Sequence, residues 1–85
     1  MEIILLPDAE ADLNYWKKIG SKTILKKIAN LVEAVTKEPF SGIGKPEPLK
    51  HQLSGCWSRR INAEHRFVYE IQDNKLLIHS LKGHY

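Results

Sequence analysis

Arg66-Phe67-Val68-Tyr69-Glu70-Ile71-Gln72, then Asp73-Asn74, then Lys75-Leu76-Leu77-Ile78-His79-Ser80-Leu81 is the stretch on which the fold turns. Two runs rich in aliphatic, β-branched and aromatic residues flank an Asp-Asn step, which is the pattern of a β-hairpin closed by a two-residue turn. That turn sets Gln72 opposite Lys75, Tyr69 opposite Ile78 and Arg66 opposite Leu81. Strand side chains alternate, so Phe67, Tyr69 and Ile71 share one face with Leu76 and Ile78, and Arg66, Val68 and Glu70 take the other. The first face is apolar and needs a cover.

The cover lies upstream. Met1 to Leu6 is a short apolar run that Pro7 terminates, and it predicts a first strand. Asp8 offers a helix N-cap, and Ala9, Leu13 and Trp16 recur at helical spacing. Asp8, Glu10 and Asp12 open this helix and Lys17-Lys18 close it, in the sense that suits the helix dipole, before Gly20 stops it. Ser21 caps a second helix, whose Ile24, Ile28, Leu31, Val32 and Val35 form one apolar stripe, and Pro39 ends it. Two helices joined at Gly20-Ser21 raise a DNA-binding helix-turn-helix. Both stripes require a core, however, and the exposed residues of the second helix are ordinary charges rather than a base-reading set. The pair reads as an αα-hairpin laid over a sheet.

Between Pro39 and Pro48 the prolines and glycines predict a loop. Its Gly42-Ile43-Gly44-Lys45 falls short of a phosphate-binding P-loop, because Pro46 stands where the hydroxyl residue belongs. His51–Leu53 and Trp57–Ile61 read as further strands. A three-residue loop (Asn62-Ala63-Glu64) sets Arg60 opposite Arg66, whereas two or four residues would not, and the sequence leaves that register open. The fold class is α+β: one domain over 1–85, with an N-terminal strand and a two-helix hairpin packed on a small, mainly antiparallel sheet.

Composition narrows the functions. A hydrophobic share of 42% with 27% charged residues is that of a folded globular chain rather than a disordered one. The net charge of +3 permits a polyanionic partner, and lysines and arginines recur from Lys45 to Arg66. The single Cys56 excludes an internal disulfide and suits a reducing compartment. No leader or membrane-length apolar run is present, so the expected location is cytoplasmic, away from the membrane. His51, His65, His79 and His84 follow no metal-binding spacing, and no thiolate pair accompanies them, so neither metal nor cofactor is expected.

The basic stretch and the chain end carry groups suited to cutting RNA. Such a cut needs a base for the 2′-hydroxyl proton, cations for the charge that builds on phosphate, and an acid for the departing 5′-oxygen. Glu47, held between Pro46 and Pro48, is the candidate base. Arg66, with Arg60 and Lys50, is the candidate phosphate clamp, because guanidinium matches the planar, bidentate demand of phosphate. His84 is the candidate acid, since imidazole gives and takes protons near neutral pH. Tyr85 offers a ring to stack on a base. Cys56 lacks an orienting partner for nucleophilic work and reads as a small buried residue, and Trp57 reads as half core and half base platform.

The run from Phe40 to Ile61, with Gly44-Lys45-Pro46-Glu47-Pro48-Leu49-Lys50-His51 at its centre, closely resembles the YoeB branch of the RelE-type toxins. Glu64-His65-Arg66, Val68-Tyr69, the terminal His84-Tyr85 and Tyr15-Trp16 extend the likeness over nearly the whole chain. The resemblance implies a RelE-like microbial RNase fold and the toxin of a type II toxin–antitoxin pair. It further implies an endoribonuclease that enters the ribosomal A site, cuts the mRNA and so inhibits translation. By the same resemblance Glu47 is the general base, Arg66 the transition-state clamp and His84 the general acid. Tyr85 orients the RNA, and Lys50 and Arg60 support the phosphate. The implied partners are the ribosome with its mRNA and an antitoxin with a disordered acidic segment, with a homodimer left open. Rival readings are a non-catalytic RNA- or ribosome-binding module and a same-fold inhibitor of a protein target such as gyrase. Two positions depart from the family. Cys56 stands where an aromatic residue is common, and Lys82-Gly83 stands where a bulkier, more basic pair is usual, so the glycine is expected to loosen the tail that carries His84.

Overall fold

The computed structural model describes residues 1–83, and His84 and Tyr85 lie outside the described residues. In chain order the elements are β1 (Glu2–Leu5), α1 (Pro7–Lys18), α2 (Lys22–Lys37), β2 (Glu47–Pro48), β3 (Trp57–Arg60), β4 (Arg66–Gln72) and β5 (Lys75–Ser80), with a single 3-10 turn at His51–Leu53. The strands make one five-stranded sheet in the order β1-β5-β4-β3-β2. β1 runs parallel to β5, and the other pairs are antiparallel.

The β4–β5 hairpin forms around Asp73 and Asn74, both in the left-handed region at φ 52° and 59°. Two consecutive positive φ values define the turn whose twist matches the strands, and Asp and Asn tolerate them better than most residues. Gln72 faces Lys75 and Tyr69 faces Ile78, as the turn predicts. Beyond that point the register slips, and Val68 faces Ser80. His79 is the extra residue of a β-bulge in β5. The expected pairing of Arg66 with Leu81 is therefore displaced, and the Arg66 amide donates to the Gly83 carbonyl at 2.9 Å. A bulge adds a residue to one strand only, which periodicity alone does not reveal.

The helices cover the expected face. Ile28, Leu31 and Val35 of α2 and Ala9 and Trp16 of α1 are buried with Phe67, Tyr69, Leu76, Ile78 and Leu81 in one core. α1 starts two residues earlier than its sequence suggests. Pro7 occupies the first turn and Leu6, not Asp8, is the N-cap, without a side-chain capping bond. The Leu6 amide is already committed to the Ile78 carbonyl at 2.9 Å, so the chain leaves the sheet and enters the helix directly. Proline suits that position because its φ is preset and its missing N–H would have no partner there. At the other end Gly20 takes φ 69°. The Ser21 amide bonds the Trp16 carbonyl and the Gly20 amide that of Lys17, both at 3.1 Å, which closes a Schellman stop.

One further expectation changes, and one open register is decided. His51–Leu53 is a 3-10 turn rather than a strand, because the chain must reverse between β2 and β3, with His51 at φ 59° and Gly55 at φ 96°. The loop after β3 has the three-residue form. The Ile61 amide donates to the His65 carbonyl at 3.0 Å, and Asn62 Oδ1 accepts from the amides of Glu64 and His65 at 2.9 and 2.8 Å. This sets Arg60 opposite Arg66. No described helix is long and apolar enough to cross a membrane.

Candidate active site on the helix-free face of the sheet

Directly opposed residues of an antiparallel pair project from the same face, and so do residues two apart along a strand. Glu47 faces Ser58, Ser58 faces Val68, and Arg60 faces Arg66. Glu47, Arg60 and Arg66 therefore share the face turned away from the helices. The Arg60–Arg66 pair sits two residues, roughly 7 Å of strand, beyond the Glu47–Ser58 row. Glu47 and Arg60 are exposed and Arg66 is half-buried. Lys50, also exposed, leads into the 3-10 turn beyond β2. Among the described residues no hydrogen bond or ion pair joins Lys50 to the other three.

The Arg66 guanidinium folds over its own loop. Its Nη1 donates to the carbonyls of Asn62 at 2.8 Å, His65 at 3.2 Å and Ala63 at 3.3 Å. These bonds orient the side chain, and among the described residues no carboxylate pairs with it. Arg60 lies opposite, and like charges facing each other across a strand pair cost stability.

Glu47 is aimed by residues outside the predicted set. Arg59 is wholly buried on the helix side. Its Nε donates to Tyr69 Oη at 3.2 Å, its Nη1 to the Ile43 carbonyl at 3.1 Å, and its Nη2 to the carbonyls of Ser41 at 2.8 Å and of Glu38. The Tyr69 hydroxyl in turn donates to the Pro39 carbonyl. Burial pushes the Tyr69 hydroxyl above its ordinary pKa, partly offset by the bonded, charged Arg59. Further along, the Gly44 carbonyl accepts from the Arg60 amide at 2.7 Å. Gly44 has φ 83°, and a Cβ there would stand 3.0 Å from both Arg59 Cβ and Leu31 Cδ2. Only glycine lets the loop approach β3 so closely, and Glu47 follows three residues after that pinned point.

Residues 81–83 are pinned in a similar way. Trp16 Nε1 donates to the Leu81 carbonyl at 2.9 Å, and the Leu81 amide donates to Asp12 Oδ2 at 2.9 Å. Lys82 Nζ lies 4.4 Å from the centre of the Tyr15 ring, a cation–π contact. The Gly83 amide donates to His65 Nδ1 at 3.0 Å, and the His65 ring packs edge-on against Trp16 at 4.8 Å. Gly83, at φ 96°, is thus bonded through both its amide and its carbonyl. Its unusual backbone is what lets Gly83 meet His65 and Arg66 together, and the tail it is expected to loosen lies outside the described residues. His84 and Tyr85, expected as the acid and as the residue that orients RNA, lie outside the described residues, the last of which, Gly83, is bonded to the Arg66 amide.

Trp57 fills the core half of its expected role. It packs on the helix side against Phe40, ring centres 4.9 Å apart, and against the core, away from Glu47, so it is no platform on that face. Cys56 is buried as expected, at 6% exposure. Burial, and secondarily the charge of Glu70, pushes its thiol pKa up. Sequence reasoning missed Arg59, Trp16, Asp12 and His65. Arg59 alone left a trace, because strand alternation puts it with Trp57 and Ile61 on the core side.

Residues 6–85 match the family described as the YoeB-like toxin of bacterial type II toxin-antitoxin systems. The chain is 57% identical over 70 residues to Toxin YoeB of Synechocystis sp., covering 82% of this chain and 81% of that protein. The YoeB/ParE toxin from Agrobacterium tumefaciens superposes with a TM-score of 0.95 at 37% identity, over the full length of both chains. YoeB of Staphylococcus aureus, solved as a YoeB–YefM complex and as a YoeB dimer, gives TM-scores of 0.90 and 0.91 at 43% identity, over 100% of this chain and 98% of that one. A hairpin-built sheet under two helices, a Gly-Lys-Pro-Glu-Pro segment on its edge and likeness over the full length lead to one assignment: the chain belongs to the YoeB-like toxins of bacterial type II toxin–antitoxin systems.

Proposed function

We propose that this toxin is an endoribonuclease that cuts mRNA in the ribosomal A site by general acid–base catalysis. The observation that carries the reading is the pairing of Arg60 with Arg66 on the face and flank that Glu47 occupies. Two opposed cations cost the free protein stability, and a phosphodiester between them turns that cost into binding. The Glu47 carboxylate takes the 2′-hydroxyl proton, and the freed oxygen attacks phosphorus. Arg66, with Arg60, holds the charge that accumulates on the phosphate oxygens, an interaction stronger in the transition state than in the ground state. His84 gives its proton to the leaving 5′-oxygen, Lys50 adds charge beside the phosphate, and Tyr85 orients the RNA. The products are a 2′,3′-cyclic phosphate and a 5′-hydroxyl, and no step calls on a metal ion.

The partner follows from the same surface. A disordered acidic antitoxin segment folding over Lys50, Arg60 and Arg66 neutralises the clamp and blocks RNA at once. The YoeB–YefM complex and the YoeB dimer of S. aureus support both an antitoxin partner and self-association for this chain.

The test is mRNA cleavage in a translating extract, with the product ends identified. Cyclic phosphate and 5′-hydroxyl ends are expected, and Glu47→Gln is expected to abolish rapid cutting. A 5′-phosphate product would rule out attack by the 2′-hydroxyl. Undiminished translation arrest by Glu47→Gln would leave a binding module or an inhibitor of another target. Removal of His84 and Tyr85 is expected to leave a folded, inactive protein, because they follow the last strand. Parent-rate cutting by that truncated chain would remove His84 from the acid's role.

A further inference from the structure

Three side chains that the cleavage reading leaves unused converge on the same sheet face. Cys56 leads into β3, its carbonyl accepting from the Leu49 amide at 2.9 Å. Glu70 lies in the middle of β4. His79 is the extra residue of the β5 bulge. The register accounts for their meeting. Trp57 faces Tyr69, which brings Cys56 and Glu70 opposite each other one step on. Glu70 also faces Leu77, and His79 lies two residues beyond Leu77. The Cys56 sulfur, a Glu70 carboxylate oxygen and a His79 ring nitrogen all lie within 4.8 Å of one another. His79 Nε2 and Glu70 Oε1 are 2.7 Å apart.

We propose that Cys56, Glu70 and His79 bind one divalent cation of the zinc class, bracing β3, β4 and β5. The donor set argues for that class. A thiolate with an imidazole selects zinc and its neighbours over magnesium or calcium, which take oxygen ligands. Charge argues for it too. A dication held by one thiolate, one carboxylate and one neutral imidazole leaves the half-buried site neutral, so binding buries no net charge.

Geometry is compatible with a tetrahedral ion. Bond lengths near 2.0 Å to nitrogen or oxygen and 2.3 Å to sulfur put the donors about 3.3–3.6 Å apart. The sulfur has to close in by about 1 Å and the Glu70–His79 contact has to open slightly, both within the reach of side-chain torsions. On binding, the thiol proton leaves to solvent, and His79 coordinates as a neutral imidazole whose remaining N–H sits on the ring nitrogen away from the ion. The side chains of His79 and Glu70 are 31% and 28% exposed, which gives the ion a path in and a fourth position for water. The bulge aims His79 at Glu70, a common use of this irregularity. Because the ligands come from two strands and the residue leading into a third, their spacing matches no helical or knuckle motif, and the sequence reading had no pattern to find.

The site lies roughly two strand residues, about 7 Å, from the Glu47–Ser58 row, and it does not depend on the cleavage reading. The test uses the full chain, stripped with chelator and titrated with Co²⁺ and then Zn²⁺. One equivalent of Co²⁺ is expected to produce a thiolate-to-cobalt charge-transfer band with tetrahedral d–d absorption, bleached by Zn²⁺, and Zn²⁺ is expected to raise the melting temperature. Cys56→Ser is expected to remove the band. His79→Ala and Glu70→Gln are each expected to weaken binding by about 100-fold, while all three variants keep the parent's circular dichroism in chelator. His51→Ala is expected to change nothing. The proposal is overturned if no thiolate band forms, or if the band and its affinity survive both His79→Ala and Glu70→Gln, since a lone thiol then holds the metal.

Discussion

Arg59 is wholly buried on the helix side of the sheet, whereas Arg60, the next residue, is exposed on the other side. Every polar contact of Arg59 is internal, running to the carbonyls of Glu38, Ser41 and Ile43 and to Tyr69 Oη. A buried cation with four such acceptors serves as a rivet, because its desolvation is offset only while all of them stay in place. Arg60 meets Arg66 across the strand instead, an arrangement that adds nothing to stability and suits an anion from outside. One residue type, in consecutive positions, holds the loop on one face and presents an exposed charge on the other. The sheet is thus divided into a side that fixes geometry and a side that uses it, and the Glu47 loop is the link between them.

The largest effect that sharpens this contrast belongs to Glu47→Gln. Loss of a general base is expected to slow single-turnover cleavage on saturated ribosomes by about 10²–10⁴-fold, or about 3–5 kcal/mol of activation free energy. The melting temperature is expected to stay at the parent value, since Glu47 is exposed. A matching loss of stability would move Glu47 to the structural side of the division.

Arg59→Ala is the converse. It is expected to destabilise the fold by about 3 kcal/mol in denaturant titration, because three loop carbonyls and a tyrosine hydroxyl lose their donor together. Arg59→Lys is expected to recover only part, since an ammonium cannot reproduce the planar fork. Unfolding midpoints unchanged in both variants would show that the rivet carries no load.

A smaller effect is expected for Arg60→Ala, about ten- to hundredfold in cleavage, shared between rate and ribosome affinity. Its stability is expected to fall within about 0.5 kcal/mol of the parent, with relief of the opposed charges favouring the variant. Equal destabilisation by Arg59→Ala and Arg60→Ala would erase the contrast.

The smallest effect lies in the alkaline range. Burial raises the Tyr69 pKa in the folded state above its unfolded value. The folded chain then holds the proton where the unfolded chain has lost it, so this contribution is complete below about pH 10 and disappears as pH climbs through the folded value. Tyr69→Phe is expected to lose about 1 kcal/mol at neutral pH, through the bond to the Pro39 carbonyl, and to show a flatter decline of stability above pH 10. Parallel declines in parent and variant would place the alkaline transition elsewhere.

Much of this was legible in the chain. The alternation of Phe67, Tyr69 and Ile71, the Asp73-Asn74 turn and the stripe of Ile28, Leu31 and Val35 are local patterns, and local patterns set strand faces, hairpin register and the buried side of a helix. The Gly-Lys-Pro-Glu-Pro segment with Arg60 and Arg66 likewise marks the candidate site, though not the pairing of the two arginines, because residue type alone limits what can move a proton or hold a phosphate. What the tertiary structure decided is everything that depends on distant chain segments meeting. The bulge at His79, the choice of a three-residue loop before Arg66 and the docking of residues 81–83 on Asp12, Trp16 and His65 each resolve a competition between packing arrangements of similar local energy. So does the burial of Arg59, where a charge that reads as surface is drawn inside because the 38–43 loop presents carbonyls that nothing nearer in the chain can satisfy. The meeting of Cys56, Glu70 and His79 belongs to the same class, since sheet register is a property of pairs of strands and no single stretch of sequence contains it.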